Sequence, residues 1–358
     1  MTPFFPMLIM PHLHVKGCWL LERMITINLQ EEQKSWKKAL APFEKSDIKR
    51  SIWQLINTLV PLVLFWILAY ESLAISVWLA WLFVIPAAGF LVRTFIIFHD
   101  CCHHSFFVSR RANVTVGIIT GLLTFFPYNQ WMIEHSVHHA TCSNLSRRGT
   151  GDIWTLTVDE YTALPPLQRL GYRIYRNPFV MFGLGPIYIT FIIYRFNRKK
   201  AGRRERLNTY GTNLGLAAFI TLMCLTLGWQ KFLLVEVPIL YLSGMAGIWL
   251  FYVQHQFEHT YFEKNEQWDF VSAAMQGSSY YKLPKVLQWI TGNIGFHHIH
   301  HLGSRVPNYN LQRTHDSLLF LQQVPVIGLR ASFRSLRYRI WDENTKKFVG
   351  FKDVSIPH

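Results

Sequence analysis

Four short clusters hold twelve of the chain's sixteen histidines: HDCCHH at 99–104, HSVHH at 135–139, HQFEH at 255–259 and HHIHH at 297–301. Residues three or four apart share a helix face. His99 therefore stands beside His103, while His104 is turned away by about 100°. His135 faces His138 and His139, and His297 faces His300 and His301, with His298 in the variable position. His255 lies one turn before His259. Imidazoles crowded this way repel when protonated and leave ring nitrogens unsatisfied when buried alone. A transition metal answers both problems, since neutral imidazole suits iron, zinc or copper. Eight or nine such ligands exceed one ion's coordination and imply two. His12, His14, His315 and His358 stand alone and read as ordinary core or surface residues.

The elements that must position these clusters are apolar. Half of the 358 residues are hydrophobic and 16% are charged, against about 25% charged in a soluble domain. Residues 55–70 and 73–92 hold no charge, and 213–229 and 232–253 hold only Glu236. Runs of roughly 17–25 residues suit a bilayer crossing, where backbone polar groups must be satisfied within helices. Buried helices of a large soluble protein could also read this way, but four long runs in two tight pairs favour the bilayer. The expected fold is all-α and integral to a membrane. It has four transmembrane helices in two hairpins, interfacial helices and a cytoplasmic histidine-rich cap. Three segments are expected: a cytoplasmic N-terminal part at 1–51, a membrane domain at 52–341 and a C-terminal tail at 342–358. Residues 1–23 read as an upstream extension before Met24 or as a poorly ordered tail, and the apolar stretch at 7–10 is too short for a secretory signal.

Lysines and arginines set the orientation. Lys34, Lys37, Lys38, Lys45, Lys49 and Arg50 precede the first run and place the N-terminus in the cytoplasm. The chain returns near Arg93, whose side chain is expected to snorkel. The segments 114–126 and 179–194 read as interfacial, because a crossing by the second would put the basic loop from Arg195 to Arg206 outside. Residues 330–341, with four arginines, read as a basic surface helix. The net charge of +15 comes with no groove-reading motif, so anionic lipid and an acidic protein partner explain it better than nucleic acid. The five cysteines form no CxxC pair and no disulfide framework.

Two redox-capable metals beside a membrane suggest oxidation of an unactivated C–H bond, which needs an oxidant made from O₂. Zinc has no redox chemistry, so such a function would select iron. A histidine-rich transporter is the competing class. Transporters place ligands within their spans along a pathway, whereas these spans hold no histidine.

HDCCHH, HSVHH and HHIHH resemble the three boxes HxxxH, HxxHH and HxxHH of membrane fatty-acid desaturases. FIIFHDCCHHSFF, NLSRRGTGDIW, FYVQHQFEHTYF and GNIGFHHIHHL are similar to the acyl-lipid desaturases of bacilli. The resemblance runs from about residue 52 to 341. It implies two iron ions, cycling between Fe²⁺ and Fe³⁺, held by His99, His103, His135, His138, His139, His297, His300 and His301, with His255 as a further ligand. His104, His259 and His298 are left as outer donors or alternative ligands. Asp100 and Asp152 are the carboxylates expected to orient ligand imidazoles. The resemblance further implies a cis double bond, at Δ5, made with O₂ in saturated chains of membrane phospholipids, in the plasma membrane with the metals on the cytoplasmic side, adjusting fluidity in the cold. The same boxes serve alkane, sterol and carotenoid hydroxylases, which is the nearest alternative activity. The sequence shows neither HPGG nor a GxGxxG after a strand, so two electrons are expected from ferredoxin or flavodoxin.

Overall fold

The computed structural model describes residues 35–355; the expectation for residues 1–23 lies outside them. Helix α1 (Trp36–Leu40) is followed by α2 (Ile48–Ser72), whose first turn is closed by the Asp47 carboxylate accepting from the Lys49 and Arg50 backbone amides. Such a cap satisfies donors that the helix cannot. Ser76 does the same for α3 (Val77–Cys102) by accepting from Trp78 N. These two helices form the first hairpin. Among the described residues four helices are long and apolar enough to cross a membrane, and α3 is the most enclosed of them, with 56% of its most apolar window buried. It is therefore the helix around which the others pack.

Arg93 does not snorkel. It is 5% exposed, donates from Nε to Thr58 Oγ1 at 3.1 Å and lies 4.1 Å from the centre of the Trp289 ring. The cap above the membrane thus covers the position where the sequence suggested an exit to water.

Helices α4 (Arg110–Leu123) and α5 (Tyr128–Thr141) follow, then α6 (Val158–Ala163) and α7 (Pro166–Tyr175). A π-helical turn at Phe179–Leu184 leads into α8 (Gly185–Phe191). The segment from Phe179 to Arg195 bends by 57° from α7; taken together, the bent pair has the length and composition of one further span. The second hairpin is α9 (Arg203–Leu227) and α10 (Trp229–His255), turning at Gly228 with φ +83°. Gly244 of α10 lets Pro186 of α8 approach so closely that an added Cβ would lie 3.0 Å from it.

The cap is completed by α11 (Phe270–Gln276), α12 (Lys285–Ile290), α13 (His297–Leu302) and α14 (Asn308–Ser317). Two short strand pairs tie it together. β1 (Tyr280–Lys282) runs parallel to β2 (Val326–Gly328), and β3 (Ile340–Asp342) pairs antiparallel with β4 (Lys347–Val349). The expected basic helix over 330–341 is not continuous. It is a short helix at Leu329–Ser332, a 3₁₀ turn at Phe333–Arg337 and then β3. Arg339 points inward to donate to the Tyr252 hydroxyl at 3.1 Å. The molecule is mostly helical, with exposed apolar side chains such as Val60, Leu64, Leu82 and Leu225 along its long helices.

Candidate metal centre

Five elements bring the histidines together. α3 ends at Cys102 and delivers His99 and His103; α5 carries His135, His138 and His139; the last residue of α10 is His255; and α13 carries His297, His300 and His301. A fifth element, α14, contributes no ring but holds one in place, as described below. The segment that leads into the short α13 is held by two neighbours. Tyr281 N donates to Gly295 O at 2.7 Å, and Gln254 Nε2 donates to Ile294 O at 2.9 Å.

The rings sort into two groups. Ligand-capable nitrogens of His99, His103, His135, His139 and His300 lie within 4.8 Å of one another, and so do those of His138, His255 and His301 together with Cys142 Sγ. His297 belongs with the second group, its Nε2 lying 2.9 Å from His255 Nε2 and 3.1 Å from His301 Nε2. In the first group His139 Nε2 is 2.9 Å from His300 Nε2 and 3.1 Å from His135 Nε2. The groups adjoin, since the His139 and His301 rings stack at 4.3 Å between centroids.

Second nitrogens are anchored from outside. His99 Nδ1 lies 3.1 Å from Asp100 Oδ1, and His138 Nδ1 lies 2.5 Å from Asp152 Oδ1. His255 Nδ1 faces Gly277 O at 3.1 Å. A ring that donates from Nδ1 has a lone pair at Nε2. Burial pushes His103, His135, His139, His297, His300 and His301 well below the ordinary histidine value, and the neighbouring imidazoles push the same way. These rings are neutral. The Nε2 contacts near 3 Å can be hydrogen bonds only where one ring of the pair carries its proton at Nε2, and His103 Nε2 and His138 Nε2 are buried with no partner. Orphaned nitrogens of this kind fit a cation between them, and an imidazole-rich donor set suits iron, zinc or copper alike. The carboxylates that anchor the rings are the usual supports of metal-bound histidine.

The other candidates lie apart. His298 is fully buried beside the His315 ring at 5.6 Å, on the far side of α13. His259 is exposed, and His104 opens onto a separate pocket. Glu134 is bonded by Gln130 at 3.4 Å and Glu258 by the Tyr338 hydroxyl at 2.9 Å.

Three supports were not foreseen. Asn308, at the start of α14, donates to Asp100 Oδ2 from its backbone at 2.7 Å and its side chain at 2.8 Å, and itself accepts from Gln54 Nε2 at 2.9 Å. A buried chain thus runs from α2 through α14 to His99. Cys142 Sγ lies 3.6 Å from His255 Nδ1. Its place four residues after His138 could have pointed to it, whereas nothing local in the sequence marks Asn308.

A family model described as fatty acid desaturase matches residues 76–320, from the start of the first hairpin's return helix through the last histidine cluster. The chain belongs to the fatty acid desaturase family. A fatty acid desaturase of Bacillus subtilis is 54% identical over 91% of this chain and 93% of its own length. The sn-1 oleoyl-lipid 12-desaturase of a Synechocystis species is 28% identical over 64% of this chain and 65% of its own length. The chloroplastic omega-6 fatty acid desaturase of Glycine max is 27% identical over 67% of this chain; the match covers 55% of that longer relative. The desaturase is thus an oxidoreductase of lipid metabolism with membrane-type helices and a histidine cluster able to bind metal.

Proposed function

We propose that this desaturase inserts a cis double bond, at Δ5, into saturated acyl chains of membrane phospholipids at the cytoplasmic face of the plasma membrane. The observation that carries the reading is the pair of adjoining imidazole groups at the ends of two membrane hairpins. Nine histidines would hold two iron ions: His99, His103, His135, His139 and His300 one, and His138, His255, His297 and His301 the other. Bound iron supplies the redox chemistry that lets O₂ oxidise an unactivated C–H bond.

The protein's own part is positioning and exclusion. Asp100, Asp152 and Gly277 O keep Nδ1 protonated on His99, His138 and His255, so that Nε2 is free to ligate. The buried setting keeps the rings neutral and limits water. The reaction balances as one O₂, two electrons, two protons and the two hydrogens of adjacent methylenes giving one alkene and two waters. Ferredoxin or flavodoxin would supply the electrons, and the basic residues Lys199, Lys200, Arg203 and Arg206 suit an acidic donor. A membrane body at 52–341, flanked by the cytoplasmic segment 1–51 and the tail 342–358, is the matching division of the chain. Identity with the bacillar desaturase supports the bacterial setting, and the lipid-linked acyl chain in the Synechocystis relative's name supports a lipid-bound substrate.

The test is a fatty-acid profile, with double-bond location, of membranes from cells expressing the wild type or His139→Ala together with ferredoxin. A new monounsaturated acid in phospholipid, in the wild type alone and at Δ5, is the expected result. Another position would correct the regiochemistry, and a hydroxylated product in its place would move the enzyme to the hydroxylase branch.

A further inference from the structure

Next to the histidine groups, but separate from them, is an open pocket of about 410 Å³ including its mouth. Its polar lining includes His104, Arg110 and Arg204, and its apolar lining includes Val114, Met132 and Ile133. The pocket lies where α3 ends at Cys102 and α9 begins at Arg203, two long apolar helices whose ends are on the histidine side. His104, with φ +54°, turns the chain away from α3 so that its ring faces the pocket. His104 Nδ1 is buried without a hydrogen-bond partner. The charges of Arg110, Arg204 and Arg305 all act on this ring.

Arg110 and Arg204 are both exposed, so their charges are open to an anion arriving from outside. Glu205, a carboxylate in the lining, does not serve, because Arg198 already holds it through two bonds of 2.6 and 3.0 Å. Among the described residues, Arg110 and Arg204 have no ion-pair partner. Guanidinium forks suit phosphate oxygens above other anions. The neighbouring Val114, Met132 and Ile133 suit an anion that carries apolar substituents.

We propose that this pocket binds the headgroup phosphodiester of the phospholipid substrate, with Arg110 and Arg204 as its anion-binding residues. The inference rests on the phospholipid reading above and deepens it. His104 follows His103 directly, so their Cα atoms are about 3.8 Å apart, and His103 belongs to the first histidine group. A headgroup held here anchors the acyl chain beside the oxidising site and sets which methylenes reach it. An acidic donor protein would also seek arginine, but a recess with apolar lining fits a lipid better than a protein surface.

The test uses the full chain, purified with iron and titrated with dipalmitoyl phosphatidylglycerol while bound lipid is counted by native mass spectrometry. Arg110→Ala/Arg204→Ala is compared with Arg330→Ala/Arg334→Ala, which removes two exposed charges elsewhere. Loss of two charge-assisted bonds should raise the lipid dissociation constant roughly tenfold or more in the first variant, and leave it unchanged in the second. Iron content and melting curves verify the fold; if the double variant misfolds, the single variants Arg110→Gln and Arg204→Gln carry the same expectation. Wild-type lipid affinity in a folded variant overturns the proposal. So does displacement of the lipid by millimolar inorganic phosphate, which would make this a site for free phosphate. Slower electron transfer from reduced ferredoxin with lipid binding intact would reassign the pocket to the donor. Lipid that binds through these arginines yet is never desaturated would uphold phosphate binding and refute the phospholipid-substrate reading.

Discussion

Asp100 is flanked by donors on both oxygens, so Asp100→Asn is the most informative small change. Oδ1 faces His99 Nδ1 at 3.1 Å, and Oδ2 accepts from Asn308 N at 2.7 Å and Asn308 Nδ2 at 2.8 Å. An asparagine keeps the shape but replaces one acceptor with a donor. If its oxygen stays on His99, its NH₂ meets two N–H groups of Asn308, and two charge-assisted bonds of about 1.5–3 kcal/mol each are lost. If its oxygen turns to Asn308, its NH₂ faces His99 Nδ1, which can accept only by moving its own proton to Nε2. That is the nitrogen left to face the other histidines. Burying a neutral amide is easier than burying a carboxylate, which offsets part of either loss. We expect iron affinity to fall by about 10–100-fold, as for other outer supports of metal-bound histidine, or ~1.4–2.7 kcal/mol. The assay is iron content by mass spectrometry after equilibration against a graded series of chelator, with melting curves alongside. A variant that holds iron against the same chelator as the wild type, and melts with it, would falsify the claim that Asp100 orients His99.

His255→Ala should lose iron from the second group and abolish product, whereas His259→Ala, one turn on but exposed, should keep both; metal content and product analysis decide. Gly295→Ala would put a Cβ 2.4 Å from Tyr281 O, breaking the contact that holds the segment leading into α13. Overpacking of this kind costs roughly 1–3 kcal/mol or more, visible as a lower melting temperature, and a wild-type melt would show that the backbone there yields freely. Stripping iron should lower the melting temperature and readdition should restore it, because a ligand at 100 times its Kd stabilises by about 2.7 kcal/mol; equal melting of both forms would count against a preformed site.

Hydropathy located the spans because a lipid-facing helix must be apolar along its length, and 55–70 and 73–92 lie within or largely within α2 and α3. It did not locate their ends. Helical hydrogen bonding continues beyond the hydrocarbon, so α2 begins at Ile48, α3 runs on to Cys102 and α9 starts at Arg203. Arg93 misled for a related reason: a cation near a helix end reads as surface, but here Trp289 and Thr58 enclose it. The four strands have three residues each, too few for alternation to be read. Asn308 and Gln54 could not be foreseen either, since their role depends on contacts across more than 200 residues of sequence.

The histidine types and spacing were legible, but their division into two groups follows from helix geometry. Neighbours on a helix point about 100° apart, so the adjacent pair that closes each HxxHH cluster must split. On α5, His135 and His139 share one face and join the first group, while His138 turns to the second. On α13 the roles reverse: His297 and His301 serve the second group and His300 the first. The ring centroids of His138 and His139 are 5.8 Å apart, and those of His300 and His301 are 5.9 Å apart. The separation of the groups is therefore set twice, by the same local geometry on two helices, rather than by the docking of one metal-binding element on another. Each helix contributes to both groups, so displacing either one disturbs both together. That coupling suits the proposed two-metal reaction, and it makes the orientation of α5 against α13 the structural variable on which the whole centre depends.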